Sequence, residues 1–138
     1  MPNTIWFGAV VTAPAPIAVE PANAATERKA TWQPIDNTPM HPEYPCAHCI
    51  VSSALASAIE AMLDTADIPE VAMTSTTAPG VTHRWTNVRA YADEVAAARI
   101  VAGFHYRFSI VVGQDMGRQI GAYTVKTIMQ PLEQASAR

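Results

Sequence analysis

The chain has 138 residues, of which 49% are hydrophobic and only 15% are charged, and its net charge is −3 at pH 7. This length fits one domain with a modest core. The acidic balance excludes a typical nucleic-acid binder, because neutralising a phosphate backbone requires clustered Lys and Arg. The low charged fraction indicates that part of the surface is covered, either by a second copy of the chain or by a larger helical domain.

Residues 1–25 are rich in proline and alanine, which predicts an irregular N-terminus. The apolar run at residues 5–11 is too short to span a membrane, and no run of about 18 apolar residues occurs. No Lys or Arg precedes Arg28, so the start is a poor match to a secretory signal peptide. We therefore expect a soluble chain, cytoplasmic or periplasmic, with its compartment open.

Hydrophobic residues recur at helical spacing in three segments, which predicts an all-α fold, a helical bundle with long loops. Thr86 is expected to cap the second helix, and Gly103 is expected to end it. The predicted helices cover residues 49–64, 87–102 and 109–129.

Two further features concern how these helices are connected and packed. Residues 68–86 are rich in Thr, Ser, Pro and Gly, which predicts a loop or a small hairpin. Gly113, Gly117 and Gly121 are four residues apart and predict a smooth stripe that another helix approaches closely. Three helices make a thin bundle, so we expect either a homo-oligomer or the C-terminal part of a larger helical domain.

Residues 39–49 concentrate three prolines, two histidines and two cysteines directly before the first predicted helix. The prolines keep the backbone extended until the helix begins near residues 46–49. His48 is then at a helix N-terminus, where free N–H groups and the helix dipole favour an anion. Farther along, Arg99 and His105 are six residues apart with Gly103 between them, so both side chains can face one oxyanion.

These two segments resemble known motifs. The sequence Pro45-Cys46-Ala47-His48 resembles the Pro-Ser-Gly-His motif of the superfamily of type 2 phosphatidic acid phosphatases and vanadium-dependent haloperoxidases. Arg99-(five residues)-His105 is similar to its Ser-Arg-(five residues)-His motif, with Ala98 in place of the serine, and the flanking residues favour the soluble haloperoxidase-like branch. The resemblance covers about residues 32–123, and it implies that residues 26–138 form a partial domain of this type, from its C-terminal portion.

The resemblance also implies roles for five residues. His105 matches the vanadium ligand, which is the nucleophile when phosphate is bound, and His48 matches the acid–base histidine. Arg99 matches the arginine clamp, and Cys46 and Ala47 match the serine and glycine that donate hydrogen bonds to the oxyanion. The implied cofactor is vanadate, with hydrogen peroxide and halide as substrates. Phosphate in the same pocket implies hydrolysis of phosphomonoesters through a phosphohistidine.

Some positions depart from the family pattern. The sequence has no Lys-(six residues)-Arg-Pro motif, which supplies two further cations in the family, so a truncated or impaired site is expected. Cys46 replaces a serine and is a weaker donor. Ser109 stands where an aspartate often follows the histidine, so we expect His105 to lack an orienting group.

Two other interpretations remain open from the sequence. Cys46 and Cys49, with His41 and His48 nearby, offer ligand types that zinc sites use, although no second ligand pair has suitable spacing. A redox site with these cysteines belongs to the same alternative. The second interpretation is a helical fragment with no enzymatic activity.

Overall fold

The computed structural model describes residues 31–128. The prediction of an irregular segment at residues 1–25 and the end of the third predicted helix lie outside the described residues. Three helices and two strands follow one another along the described chain: α1 (Ala47–Leu63), β1 (Asp67–Ser75), β2 (Ala78–Asn87), α2 (Val88–Val101) and α3 (Arg107–Thr127).

The prediction of a purely all-α fold is wrong, because β1 and β2 form a two-stranded antiparallel sheet where a loop or small hairpin was expected. Val71 is opposite Trp85 and Met73 is opposite His83. β-Branched and aromatic residues favour this pairing. Pro69 falls where the register shifts between Asp67 and Val71, which is a position that tolerates a missing N–H.

Local sequence signals place the helix ends. Cys46 caps α1, since its Sγ accepts a hydrogen bond from the Cys49 N–H at 3.2 Å. The predicted cap at Thr86 is wrong by one residue: Asn87 caps α2, and its side chain accepts from two backbone N–H groups. Gly103 follows α2 with a φ of 79°, so the predicted stop is confirmed.

The glycine stripe forms the contact between α3 and α1, as predicted. A Cβ on Gly113 would meet the carbonyl oxygen of Cys46 at 2.7 Å, and one on Gly117 would meet that of Ile50 at 2.4 Å. Side chains larger than hydrogen are therefore excluded at these positions, and the two backbones pack directly against each other. The N-terminus of α3 and the N-terminus of α1 are thereby held side by side.

Helix α2 packs on another side of α1 and scarcely contacts α3. Ala56 of α1 meets Val88 and Ala92 of α2 in a small apolar cluster. A cleft of about 340 Å³ lies where α2 and α3 diverge, and its walls carry paired polar side chains, among them Glu60 and Arg89.

The described core is small, and large apolar side chains remain on the surface. The buried apolar residues include cysteines and alanines, with Val88 and Ile110 as the larger members. Val51, Leu55 and Met62 form an exposed stripe on α1. No helix within residues 31–128 is long and apolar enough to cross a membrane.

Candidate functional site

His105 lies in the turn between α2 and α3, and its side chain is 1% exposed. Its Nδ1 is 2.6 Å from the main-chain carbonyl oxygen of Glu43. A carbonyl only accepts hydrogen bonds, so Nδ1 carries the hydrogen and Nε2 keeps its lone pair in the neutral ring. Nε2 is buried and has no hydrogen-bond partner among residues 31–128. The imidazole therefore presents a nucleophilic or ligating nitrogen from a fixed orientation.

Glu43 is the residue that fixes this orientation, and the sequence did not single it out. Its carbonyl oxygen also accepts from the Ser109 hydroxyl at 2.7 Å. Its carboxylate accepts from the Tyr106 N–H at 2.8 Å and lies 3.4 Å from Nδ1 of His105. The expectation that His105 lacks an orienting group is therefore wrong. The Glu43 carbonyl orients the ring, and the Ser109 hydroxyl donates a hydrogen bond to the same carbonyl.

His48 lies in the first turn of α1, with its residue exposed. The segment before α1 places His41 close to both His48 and His105. The ring centroid of His41 is 5.9 Å from that of His48 and 5.9 Å from that of His105. The rings of His41 and His105 are stacked, with an angle of 16° between their planes. Three imidazoles thus form one group at the start of α1.

Arg99 is in the last turn of α2, where its guanidinium carbon lies 4.5 Å from the centre of the Phe104 ring. The ring and the surrounding side chains bury the guanidinium, and this burial lowers the pKa of Arg99. Nε and Nη2 are both buried without a hydrogen-bond partner in the part of the chain that the structure describes. Buried donors of this kind are nearly always paired in proteins, so they indicate a place for an acceptor.

The pKa values show that these groups share one electrostatic environment. The His48 residue is exposed overall, but partial burial of its ring lowers the pKa of His48. The positive charge of Arg99 lowers it further, and His41 and His105 have smaller effects in the same direction. Burial also lowers the pKa of His105; the charge of Arg99 acts in the same direction, while Glu43 opposes it. The charge of Arg99 acts on both His48 and His105, and the lowered pKa values of the two histidines favour neutral imidazoles near pH 7.

Cys46 and Ala47 are at the start of α1, beside this cluster. Cys46 is fully buried and disulfide-bonded to Cys49, and its N–H donates to the Ser109 carbonyl at 3.3 Å. The disulfide-bonded side chain of Cys46 has no hydrogen to donate, so its predicted role as a side-chain donor requires the reduced thiol. The N–H of Ala47 belongs to the first turn of α1, where no preceding helical carbonyl is available to it.

The alternative metal site has no structural counterpart in the described chain. Residues 31–128 contain no group of three or more His, Cys, Asp or Glu side chains arranged to hold a metal ion. The disulfide uses both thiols that such a site requires. His83, the remaining histidine, lies on β2 and pairs with Glu94 of α2, apart from the cluster.

Comparisons with known proteins identify the family of the chain. The family model described as "VCPO second helical-bundle domain" matches residues 15–134. A bacterial vanadium-dependent iodoperoxidase superimposes with a TM-score of 0.60 at 30% sequence identity, covering 69% of this chain. The holo-type bacterial vanadium-dependent chloroperoxidase gives a TM-score of 0.59 at 19% identity over 70% of this chain. No curated protein sequence matches the chain.

The fraction of each solved protein that the chain covers shows which part of those proteins it matches. It covers 23% of the iodoperoxidase and 23% of the chloroperoxidase, so it spans less than a quarter of each solved protein. The family model, in contrast, accounts for most of the present chain. The chain therefore belongs to the vanadium haloperoxidase-like superfamily, in which it corresponds to the second helical-bundle domain.

Proposed function

We propose that this chain provides an oxyanion site for vanadate in halide oxidation, with His105 Nε2 as the vanadium ligand. The observation that supports the proposal is the set of three buried polar atoms without partners among residues 31–128: Nε2 of His105 and Nε and Nη2 of Arg99. Leaving such a group unpaired costs about 1–3 kcal/mol. A tetrahedral oxyanion satisfies all three, because it accepts from guanidinium N–H groups while its central atom takes the imidazole lone pair.

His105 is prepared for this role by its surroundings. Burial and the charge of Arg99 keep the ring neutral, and the Glu43 carbonyl holds the hydrogen on Nδ1. A hydrogen bond to the second ring nitrogen fixes the tautomer and makes the ligating nitrogen more basic. Vanadate, when bound, supplies a Lewis-acid centre that activates hydrogen peroxide toward halide.

His48 is suited to proton transfer at the same site. Its pKa is lowered from the usual histidine value, so a large fraction of the ring is neutral near pH 7 and accepts a proton. It lies in the first turn of α1, where backbone N–H groups and the helix dipole add positive potential for an anion. Its exposed position leaves it accessible to small substrates from solvent.

The affinity of the site in this chain alone is expected to be low. The sequence lacks the Lys-(six residues)-Arg-Pro motif that supplies two further cations in the family. Each charge-assisted hydrogen bond contributes about 1.5–3 kcal/mol, so the loss of two lowers affinity on the order of a hundredfold or more. We therefore expect measurable but weak oxyanion binding and little halide oxidation.

The experiment that tests the ligand role is calorimetric titration of orthovanadate into the whole chain, with His105→Ala and His83→Ala variants in parallel. His83 is a matched control, because it is a described histidine outside the cluster. We expect the control to bind like the wild type and His105→Ala to lose about tenfold or more in affinity. Equal vanadate affinity in all three proteins would contradict the assignment.

Two activity assays distinguish vanadate chemistry from phosphatase chemistry in the same pocket. The first measures bromide oxidation by hydrogen peroxide with vanadate present, and the second measures hydrolysis of p-nitrophenyl phosphate without vanadate. Weak bromide oxidation that His105→Ala abolishes is the expected result. Phosphoester hydrolysis without any halide oxidation would instead place the chain with the phosphatases. Stoichiometric zinc in the purified protein, lost in Cys49→Ser, would support the metal alternative.

A further inference from the structure

The hairpin and α2 enclose a second group of side chains that the oxyanion site does not use. Side chains alternate along a strand, so Val81, His83 and Trp85 of β2 share one face. Met73 is opposite His83 on β1 and belongs to the same face. This face covers the first half of α2, whereas Arg99 lies in the last turn of that helix.

A cavity of about 320 Å³ lies between this face and α2, a size within the range of small-molecule sites. Its wall on the helix side is formed by Tyr91 and Glu94, which are one turn apart. Met73 and Val81 line the middle of the cavity with apolar side chains, and Thr74, Ser75, Thr77 and Ala78 line the end toward the hairpin turn. The cavity thus combines aromatic rings and a carboxylate at one end with an apolar middle.

The carboxylate of Glu94 is fixed in place by two donors on the hairpin. One oxygen pairs with Nδ1 of His83, and the other accepts from Nε1 of Trp85 at 2.7 Å. Each carboxylate oxygen has a second acceptor position, so both can still accept from a ligand. The negative charge is therefore held at the cavity wall in one orientation.

The aromatic rings add a second source of negative potential. Trp85 and Tyr91 meet nearly at right angles, with 5.2 Å between ring centroids and 81° between planes. The ring of His83 stacks on Trp85 with 5.9 Å between centroids. The faces of tryptophan and tyrosine rings attract cations, and this attraction is strongest with a nearby carboxylate and partial exclusion of water.

We propose that this cavity binds a small organic cation that carries a quaternary or protonated ammonium group. The ammonium group packs against Trp85, Tyr91 and the Glu94 carboxylate, and an aliphatic portion extends along Met73 and Val81. This site is separate from the oxyanion cluster, and its ligand does not depend on the proposed function.

The charges around the cavity favour a cation over an anion or a neutral molecule. Arg84 lies between His83 and Trp85 in sequence, so it is on the opposite face of β2, where it pairs with Glu70. No Lys or Arg is among the residues that line the cavity. An anionic ligand would meet the Glu94 carboxylate, and the one basic side chain in the lining, His83, is already paired with that carboxylate.

The first test compares two ligands of the same shape on the whole chain. Choline carries the positive charge, and 3,3-dimethylbutan-1-ol is its neutral counterpart. Each is titrated while the indole N–H signal of Trp85 is followed by NMR, with Trp85→Phe used to identify that signal among the three tryptophans of the chain. We expect a saturable shift with choline and an affinity for the alcohol at least about fivefold lower. Equal affinity for the two ligands, or no saturable shift with choline, would overturn the proposal.

The second test removes the charge from the protein. Glu94→Gln keeps the shape and an acceptor oxygen, and we expect it to lower choline affinity about fivefold or more. Glu70→Gln is the matched control, because Glu70 is the hairpin glutamate on the other face, and its choline affinity should equal that of the wild type. Circular dichroism shows whether each variant keeps its fold. A folded Glu94→Gln protein that binds choline as well as the control would refute the role of the carboxylate.

Discussion

The glycine stripe of α3 predicts that Gly117→Ala weakens both the fold and the oxyanion site. A Cβ at this position would be 2.4 Å from the Ile50 carbonyl oxygen and 2.9 Å from the Ala54 nitrogen. Ordinary contacts of a Cβ begin near 3.4 Å, so α1 and α3 must separate by about 1 Å. The nearest atoms are two backbone atoms of α1 and the Cβ of Ser53, none of which moves when a side chain rotates.

The size of the effect follows from two opposing terms. Overpacking against a rigid neighbour costs about 1–3 kcal/mol, here toward the upper end, while replacing a helical glycine by alanine returns about 1 kcal/mol. The net loss is about 2 kcal/mol, which corresponds to a melting temperature lower by about 7–10 °C for a domain of this size.

The assay combines thermal unfolding with vanadate titration of the folded protein. Gly80→Ala is the control, because nothing lies within 4 Å of a Cβ there although the φ of 81° strains an alanine. We expect the control to lose about 1–2 kcal/mol of stability from backbone strain and to keep its vanadate affinity. A Gly117→Ala protein with unchanged melting temperature and unchanged vanadate affinity would refute the direct backbone packing of α3 on α1.

Two further predictions concern protonation. Glu43→Gln keeps the main-chain carbonyl that orients His105 but loses the negative charge that raises the pKa of this histidine. NMR titration should therefore show a lower His105 pKa and an unchanged tautomer. A raised His105 pKa would contradict this prediction. The pKa values of His48 and His105 are both lowered in the folded chain, so the unfolded chain binds protons more readily. Their contribution to stability is present above the unfolded pKa of about 6.5 and is lost as pH falls through the lower folded values. Urea unfolding at pH 7.5 and 5.5 should show this loss, and a His105→Ala variant with an undiminished loss would count against it.

The sequence was sufficient for features that depend on side-chain spacing. Three glycines four residues apart predicted the α1–α3 contact, because a helix otherwise gains nothing from glycine at regular intervals. Hydrophobic periodicity located the helices to within about two residues at most ends, as expected where helix ends fray. The motifs around His48 and Arg99 predict one oxyanion cluster, and that cluster stays a prediction until vanadate binding is measured.

The sequence was insufficient where the backbone or solvent exposure decides the structure. Most residues of β1 and β2 are exposed, so the buried apolar face that distinguishes a strand from a loop is weak there, and the sequence left a loop and a small hairpin both open. Glu43 orients His105 through its main-chain carbonyl, a group that every residue has, so its identity gave no signal. Ser109 was noted only as a replacement for aspartate, and its contact with that carbonyl required the fold.

Packing of α1 on α3 and construction of the oxyanion site are parts of one arrangement. The Cys46 N–H donates to the Ser109 carbonyl, and the Ser109 hydroxyl donates to the Glu43 carbonyl that also holds His105. Gly113, one turn farther along α3, lies against Cys46 itself. The distance between α1 and α3 therefore sets the position of His105 relative to the start of α1. It follows that variants along the glycine stripe should lose stability and oxyanion binding together, whereas variants confined to the hairpin should leave oxyanion binding intact.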